Sequence, residues 1–258
     1  MAFPNFKNKY AEDSLFSPED HWKHKIERGH PPTFDPPKGV IFCYREELME
    51  YVLKAHETTR VEGFLDEMYL LSETKDQVAL IGKLAKGAPA VVMILEQLIA
   101  LGIKRFISVG IAGALQKQVN IGDIVICERA IRDEGTSYHY VRPSKYVYAS
   151  EKMVRRIKNS LDTHNWKYIV GTSWTTDAFY RETVAEVKHY QKEGVLTVEM
   201  EASALFAVAQ YRNVEMGAIF TISDSLAELQ WDPRFHVKEP SERLEILYQI
   251  AMDILLGG

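Results

Sequence analysis

Val198-Glu199-Met200-Glu201-Ala202-Ser203 sets two carboxylates on either side of a methionine, just ahead of a run of small apolar residues. A strand giving way to a helix here would project these side chains toward the end of a sheet, where α/β proteins bind ligands. A carboxylate in that place can accept hydrogen bonds from adjacent sugar hydroxyls; it can equally cap the helix, whose amino end favours negative charge. Thr221-Ile222-Ser223-Asp224-Ser225-Leu226 is an apolar strand ending in a carboxyl group. Burial would keep Asp224 protonated closer to neutrality and suit it to donate a proton, although Ser-Asp-Ser also serves as a turn or helix cap. In Thr175-Thr176-Asp177-Ala178-Phe179-Tyr180, Phe179 is either a core aromatic or a platform for a flat ring. Gly110-Ile111-Ala112-Gly113-Ala114-Leu115 would let the backbone approach a ligand, or make a tight turn.

The elements that must hold these segments read as an alternation of strands and helices. Strands are expected at 39–44, 67–71, 77–81, 105–110, 123–127, 167–171 and 215–223, and helices at 46–58, 90–101, 152–161, 183–193, 203–212 and 241–256. Residues 110–114 are expected to close a strand with a turn. The strands are continuous apolar runs, which implies a sheet covered by helices on both faces. Residues 1–38, ending in Pro31-Pro32-Thr33-Phe34-Asp35-Pro36-Pro37, are expected to form an extended arm, and 39–258 a single α/β domain.

With 36 acidic against 31 basic residues mixed along 258 positions, the net charge of -5 offers no nucleic-acid surface. Cys43 and Cys127 lie far apart in apolar runs, which gives neither a disulfide framework nor a C-x-x-C motif and makes the cytoplasm the default compartment. No signal-peptide pattern opens the chain. The apolar run 88–101 is too short to span a bilayer and contains Glu96 and Gln97. No metal is implied: His21 and His24 sit in the polar arm and no H-E-x-x-H occurs.

The segments, in order and spacing over residues 39–256, resemble the nucleoside phosphorylase family of purine and uridine type. Val198 to Ala202 looks like its V-E-M-E-[AS] signature, 110–115 and 121–125 its glycine turn and G-D-[IV]-V, and 175–180 its S-[ST]-D-x-F-Y. The resemblance implies a single domain with a central mixed, partly barrel-like sheet flanked by helices. Met200 would pack on a ribose, Glu201 would bind its 2′- and 3′-hydroxyls, and Glu199 would line the same pocket. Phe179 would stack on the base beside Ser223, and Asp224 would protonate N7 of a purine as it leaves. Arg181-Glu182-Thr183 stands where the uracil-specific branch has a Gln and an Arg, and that branch lacks the Asp, so a purine-type base is expected. Residues 130–140 also resemble a family segment and would reach the 5′ end of a nucleoside or a neighbouring subunit; a buried charge network is the plainer reading.

The expected reaction is phosphorolysis to free base and ribose 1-phosphate, with phosphate as co-substrate, no cofactor, and a homo-oligomer (dimer, trimer of dimers or hexamer) lending residues between subunits. The phosphate site is where the chain departs from the family. Phe42-Cys43-Tyr44-Arg45 stands in place of G-D-P-x-R, Ser108 in place of an Arg, and Ile111 in place of a hydroxyl residue. Arg45 and Arg60, with Ser108 and Gly110, are the candidates for holding phosphate, although both arginines also read as surface residues. The departure keeps two alternatives open: hydrolysis of the same bond by water, and a nucleoside-binding protein without catalysis.

Overall fold

The computed structural model describes residues 4–62 and 67–257. In chain order the elements are α1 (Pro18–Glu27), β1 (Gly39–Cys43), α2 (Glu46–Ala55), β2 (Thr58–Val61), β3 (Glu67–Leu71), β4 (Val78–Gly82), α3 (Ala88–Ala100), β5 (Arg105–Ala114), β6 (Ile124–Asp133), β7 (Tyr146–Tyr148), α4 (Glu151–Thr163), β8 (Ile169–Thr176), α5 (Val184–Lys192), β9 (Thr197–Glu199), α6 (Ala202–Arg212), β10 (Glu215–Ser225), β11 (Asp232–Pro233) and α7 (Lys238–Leu256).

One mixed sheet runs β11-β10-β6-β8-β9-β5-β1-β4-β3-β2, and a further pairing of β10 with β5 closes five of these strands on themselves. The result is a small barrel of β5, β10, β6, β8 and β9, from which β1, β4, β3 and β2 continue as an open sheet. This is the mixed, partly barrel-like α/β architecture that the resemblance implies. Side chains of β1 alternate between two apolar clusters. Val40 and Phe42 pack with α3 and α6 through Leu95, Leu98, Leu205 and Phe206; Ile41 and Cys43 pack with α7 through Leu247, Tyr248 and Ala251. Helices therefore cover both faces, and β1 and β4 are buried along their whole length. Cys43 and Cys127 are buried free thiols.

Three expectations need correction. Residues 110–114 make no turn: they extend β5, with Gly110 to Ala114 paired against Phe220 to Ser225 of β10. The glycines are needed for side chains packed over the strand, not for reversing it. The arm is not extended throughout, since α1 forms within it. Ser17 and Asp20 make a reciprocal capping box, Pro18 sits at the first turn, and Trp22 is buried with its Nε1 donating to the Gln97 carbonyl of α3 at 3.0 Å. Helix α2 also stops at Ala55 because residues 58–61 pair with β3 as an edge strand.

Close packing at the end of β4 gives a stability test. A Cβ added at Gly82 would lie 2.2 Å from Met49 Sδ and 2.6 Å from its Cγ, inside the α2 contact. Gly82→Ala is expected to destabilise the fold by about 1–3 kcal/mol, read as a lower urea midpoint with an unchanged slope. An unchanged midpoint would mean that Met49 repacks without cost.

Candidate functional site

β5 changes partners along its length, and the site lies where it does so. Residues 105–109 pair with β1, while Gly113 and Ala114 pair with Val198 and Thr197 of β9. Residues 110–112 have neither strand on that side, which leaves a split at the carboxyl end of β1, the position where open α/β sheets bind ligands. Segments following β1, β4 and β9 converge on it.

From β9 come the two carboxylates. Glu199 is buried and saturated: one oxygen accepts from Thr175 Oγ1 (2.5 Å) and Ser173 Oγ (3.3 Å), the other from the backbone N–H groups of Glu201 and Ala202 (both 2.7 Å). It ties β8 to the amino end of α6, which is the capping role, rather than presenting an oxygen to the pocket. Burial raises its pKa, and the four donors oppose that rise. Glu201 differs. Its Oε1 accepts from the Gly87 N–H at 2.6 Å, and burial, with the neighbouring Glu199 charge, pushes its pKa up to about 7. Met200 is half-buried between the two.

Gly87, outside every motif of the sequence, matters here. It is the N-cap of α3 at φ 99°, a conformation that favours glycine, and a Cβ there would meet nothing within 4 Å. The backbone can thus present its N–H to Glu201 beside open space. The signal available was Gly87-Ala88-Pro89, a glycine before a proline in the first helical turn.

Tyr44, the first residue beyond β1, fills the split. Its ring lies 3.3 Å from where a Gly110 Cβ would be, and Ser108 Oγ donates to its hydroxyl at 3.3 Å. Burial, then the Glu201 charge, raises its pKa well above the ordinary phenol range. Ser108 and Gly110, expected to touch phosphate, are therefore both engaged by this ring. Arg45 Nη2 is paired with Glu47 Oε1 at 2.7 Å. Arg60 sits on β2, four strands from β5, about 19 Å across the sheet at ordinary strand spacing, with Glu67 Oε1 at 3.8 Å. Arg45 thus adjoins Tyr44 but is held by Glu47, and Arg60 lies on the edge strand of the sheet.

Asp224 stands on the other side of β5, opposite Gly113 in register after a bulge between Ile222 and Asp224. A Cβ on Gly113 would lie 3.1 Å from its Oδ2, so this glycine makes room for the acid. The carboxyl is 5% exposed. Its Oδ1 accepts from Ser223 Oγ at 2.7 Å and its Oδ2 from Trp231 Nε1 at 3.0 Å. Burial raises the pKa and both donors lower it, with a net upward shift. Ser223, expected beside the base, is instead buried and donates to the acid. Phe179 lies in a short 3-10 turn (Phe179–Arg181), exposed, with its ring centroid 6.3 Å from that of Trp231. Glu182 follows it; burial and then the Asp224 charge push its pKa up to about 7. Tyr44, Trp231 and Glu182 are the residues that sequence reasoning passed over.

Residues 130–140 carry a network of buried charged groups. Arg132 donates to Ser137, Ser144 and two carbonyls, while Glu134 accepts from the Thr136 and Ser137 N–H groups and from Ser203 Oγ on α6. Among the described residues no cluster of side chains suits a metal, and no helix is long and apolar enough to cross a membrane.

The described residues thus form a five-strand barrel continued by an open sheet, with Glu199 and Glu201 on one side of β5 and Asp224, beside Trp231, on the other. The chain belongs to the phosphorylase superfamily, whose family model matches residues 46–251. It is 29% identical over 140 residues to a guanosine phosphorylase of Halorubrum lacusprofundi, covering 54% of this chain and 58% of that protein. It is 28% identical over 204 residues to a DeoD-type purine nucleoside phosphorylase of Alkaliphilus metalliredigens, covering 72% and 87% respectively. Among solved structures, the uridine phosphorylase of Vibrio fischeri superposes with a TM-score of 0.71 at 23% identity over 87% of this chain and 92% of the other. These relatives are named for different bases.

Proposed function

We propose that residues 39–258 form the catalytic unit of an enzyme that cleaves the N-glycosidic bond of a purine-type nucleoside and transfers the ribosyl group to phosphate. The observation that carries the base assignment is Asp224, a buried carboxyl near the end of β10, joined through Trp231 to the exposed ring of Phe179. The C1′–N9 bond breaks with its electron pair passing to the purine, and Asp224 supplies a proton to N7 of the departing base. The base stacks on Phe179 and the sugar lies on Met200. Glu201 accepts from the 2′- and 3′-hydroxyls, and its charge favours the oxocarbenium character developing at the sugar. An oxygen of phosphate then bonds to C1′. The assembly is a homo-oligomer in which Arg60, on the edge strand, reaches a neighbour's acceptor site.

One observation favours water as the acceptor. The Tyr44 ring rests on Gly110, and Arg45 is paired with Glu47, so two of the groups that would hold a dianion already have partners within the chain. Release of free base from inosine, adenosine, guanosine and uridine, with and without phosphate, decides between the two. Phosphate-dependent release from the purine nucleosides is the expected result. Equal release without phosphate would establish hydrolysis, and Tyr44→Gly should then acquire phosphate dependence. Binding without release would leave a nucleoside-binding protein. Faster release from uridine would overturn the purine assignment.

A further inference from the structure

We propose that Trp231 is a latch on Asp224: its indole N–H holds the carboxylate in the arrangement seen here, and a base seated on Phe179 displaces the ring and frees the carboxyl to give up its proton. The inference rests on the role of Asp224 proposed above.

Three observations carry it. First, Trp231 Nε1 can only donate, and it donates to Asp224 Oδ2 at 3.0 Å while Ser223 Oγ donates to Oδ1, so both oxygens receive hydrogens. Such an arrangement favours the charged form, which is the wrong form for a proton donor. Second, Trp231 and Phe179 meet edge to face, with centroids 6.3 Å apart and planes at 81°. A flat base between two parallel rings needs about 7 Å, twice an ordinary carbon contact. An indole this close to Phe179 therefore lies within reach of a base brought to that ring. Third, the ring is open to solvent on part of its surface, with Phe235 (centroids 6.1 Å apart) as its other aromatic neighbour, while its backbone is fixed. Trp231 is 53% exposed, yet the next residues, Asp232 and Pro233, pair with Ser225 and Asp224, and the Arg234 N–H donates to the Ser223 carbonyl.

Displacing the indole removes a donor to the anion from a carboxyl that remains buried, so acidity falls as the base arrives. Arrival of the ligand and arming of the acid become one event. The charged groups around Asp224 are Glu182, beyond the 3-10 turn, with Glu186 of α5 behind it, and the Asp232–Arg234 pair on and after β11, 2.9 Å apart. Because Glu182 titrates at about 7, its ionisation must be separated from that of Asp224.

The test uses the two pH profiles of inosine cleavage, since kcat/KM reports the free enzyme and kcat the complex. In the wild type the alkaline limb of kcat should lie about one pH unit or more above that of kcat/KM, the effect of one hydrogen bond to a charged group. Trp231→Phe, which keeps a ring and loses the donor, should raise the kcat/KM limb to meet the kcat limb, and the change should persist in a Glu182→Gln background. Coincident limbs in the wild type, or limbs unmoved by Trp231→Phe, would overturn the latch. Failure of the proposed function appears separately, as full activity in Asp224→Asn. A readout independent of turnover is the Trp231 indole N–H resonance, assigned by its loss in Trp231→Phe. It should shift with pH in the wild type and in Glu182→Gln and stay fixed in Asp224→Asn; an indole that ignores the Asp224 titration overturns the proposal whatever the catalysis.

Discussion

Asp224→Asn is expected to lower kcat for inosine by about 10²- to 10⁴-fold, the range general-acid catalysis contributes. The substitution keeps size and shape in a site with no spare room, where a Cβ on Gly113 would stand only 3.1 Å from Oδ2. An amide whose oxygen accepts from Trp231 can donate its NH2 to Ser223 Oγ, so both neighbours keep a partner. The loss should therefore fall on chemistry more than on folding, which circular dichroism and the thermal midpoint would check. The effect should also depend on the leaving group. Cleavage of 4-nitrophenyl riboside, whose leaving group departs as a stable anion, should be far less sensitive than that of inosine. Equal sensitivity would place Asp224 in structure rather than in proton transfer.

Glu201→Gln is expected to cost about 10²-fold in kcat/KM, mostly through KM. A hydrogen bond to a charged partner is worth about 1.5–3 kcal/mol, and the amide forfeits one such acceptor while keeping an oxygen for the Gly87 N–H. The variant should also lose the wild-type preference for ribonucleosides over 2′-deoxyribonucleosides; a preference that survives would exclude Glu201 from hydroxyl recognition. The sign of the pH effect follows from its raised pKa. Only the carboxylate accepts from both hydroxyls, so wild-type kcat/KM should fall below about pH 7, where Glu201 gains a proton. Stability runs the other way. Folded Glu201 titrates at about 7 against 4.5 in the unfolded chain, so its favourable contribution is complete below 4.5 and is lost as pH rises to about 7. In Glu201→Gln the decline in the thermal midpoint over this window should be smaller, with the part due to Glu182 remaining.

The parts of the site that were legible in the sequence are those in which chemistry and local pattern coincide. Glu199, Met200 and Glu201 sit at the junction of β9 and α6 as their spacing implied, and Asp224 ends a buried strand. What escaped was decided at long range. Tyr44 meets Ser108 across 64 positions, and Glu201 meets Gly87 across 114. No periodicity reports such contacts. Strands β7, β9 and β11 are two or three residues long and exist because β6, β8 and β10 are there to pair with. The glycines of β5 misled for a different reason. Glycine permits a turn, but it equally permits close packing of a neighbouring side chain, and composition does not distinguish them. Helix α1, by contrast, was announced by Ser17-Pro18-Glu19-Asp20 and was obscured by the prolines beyond it.

The partner change along β5 has a consequence for how such proteins diverge. Tyr44 touches the strand at Gly110 and Asp224 at Gly113, three residues apart along it. Substitutions at the two places share no side-chain partner, so their energetic effects should add. Lineages can therefore exchange the attacking group and the departing group by separate steps, each selected alone, with the barrel serving as the inherited part.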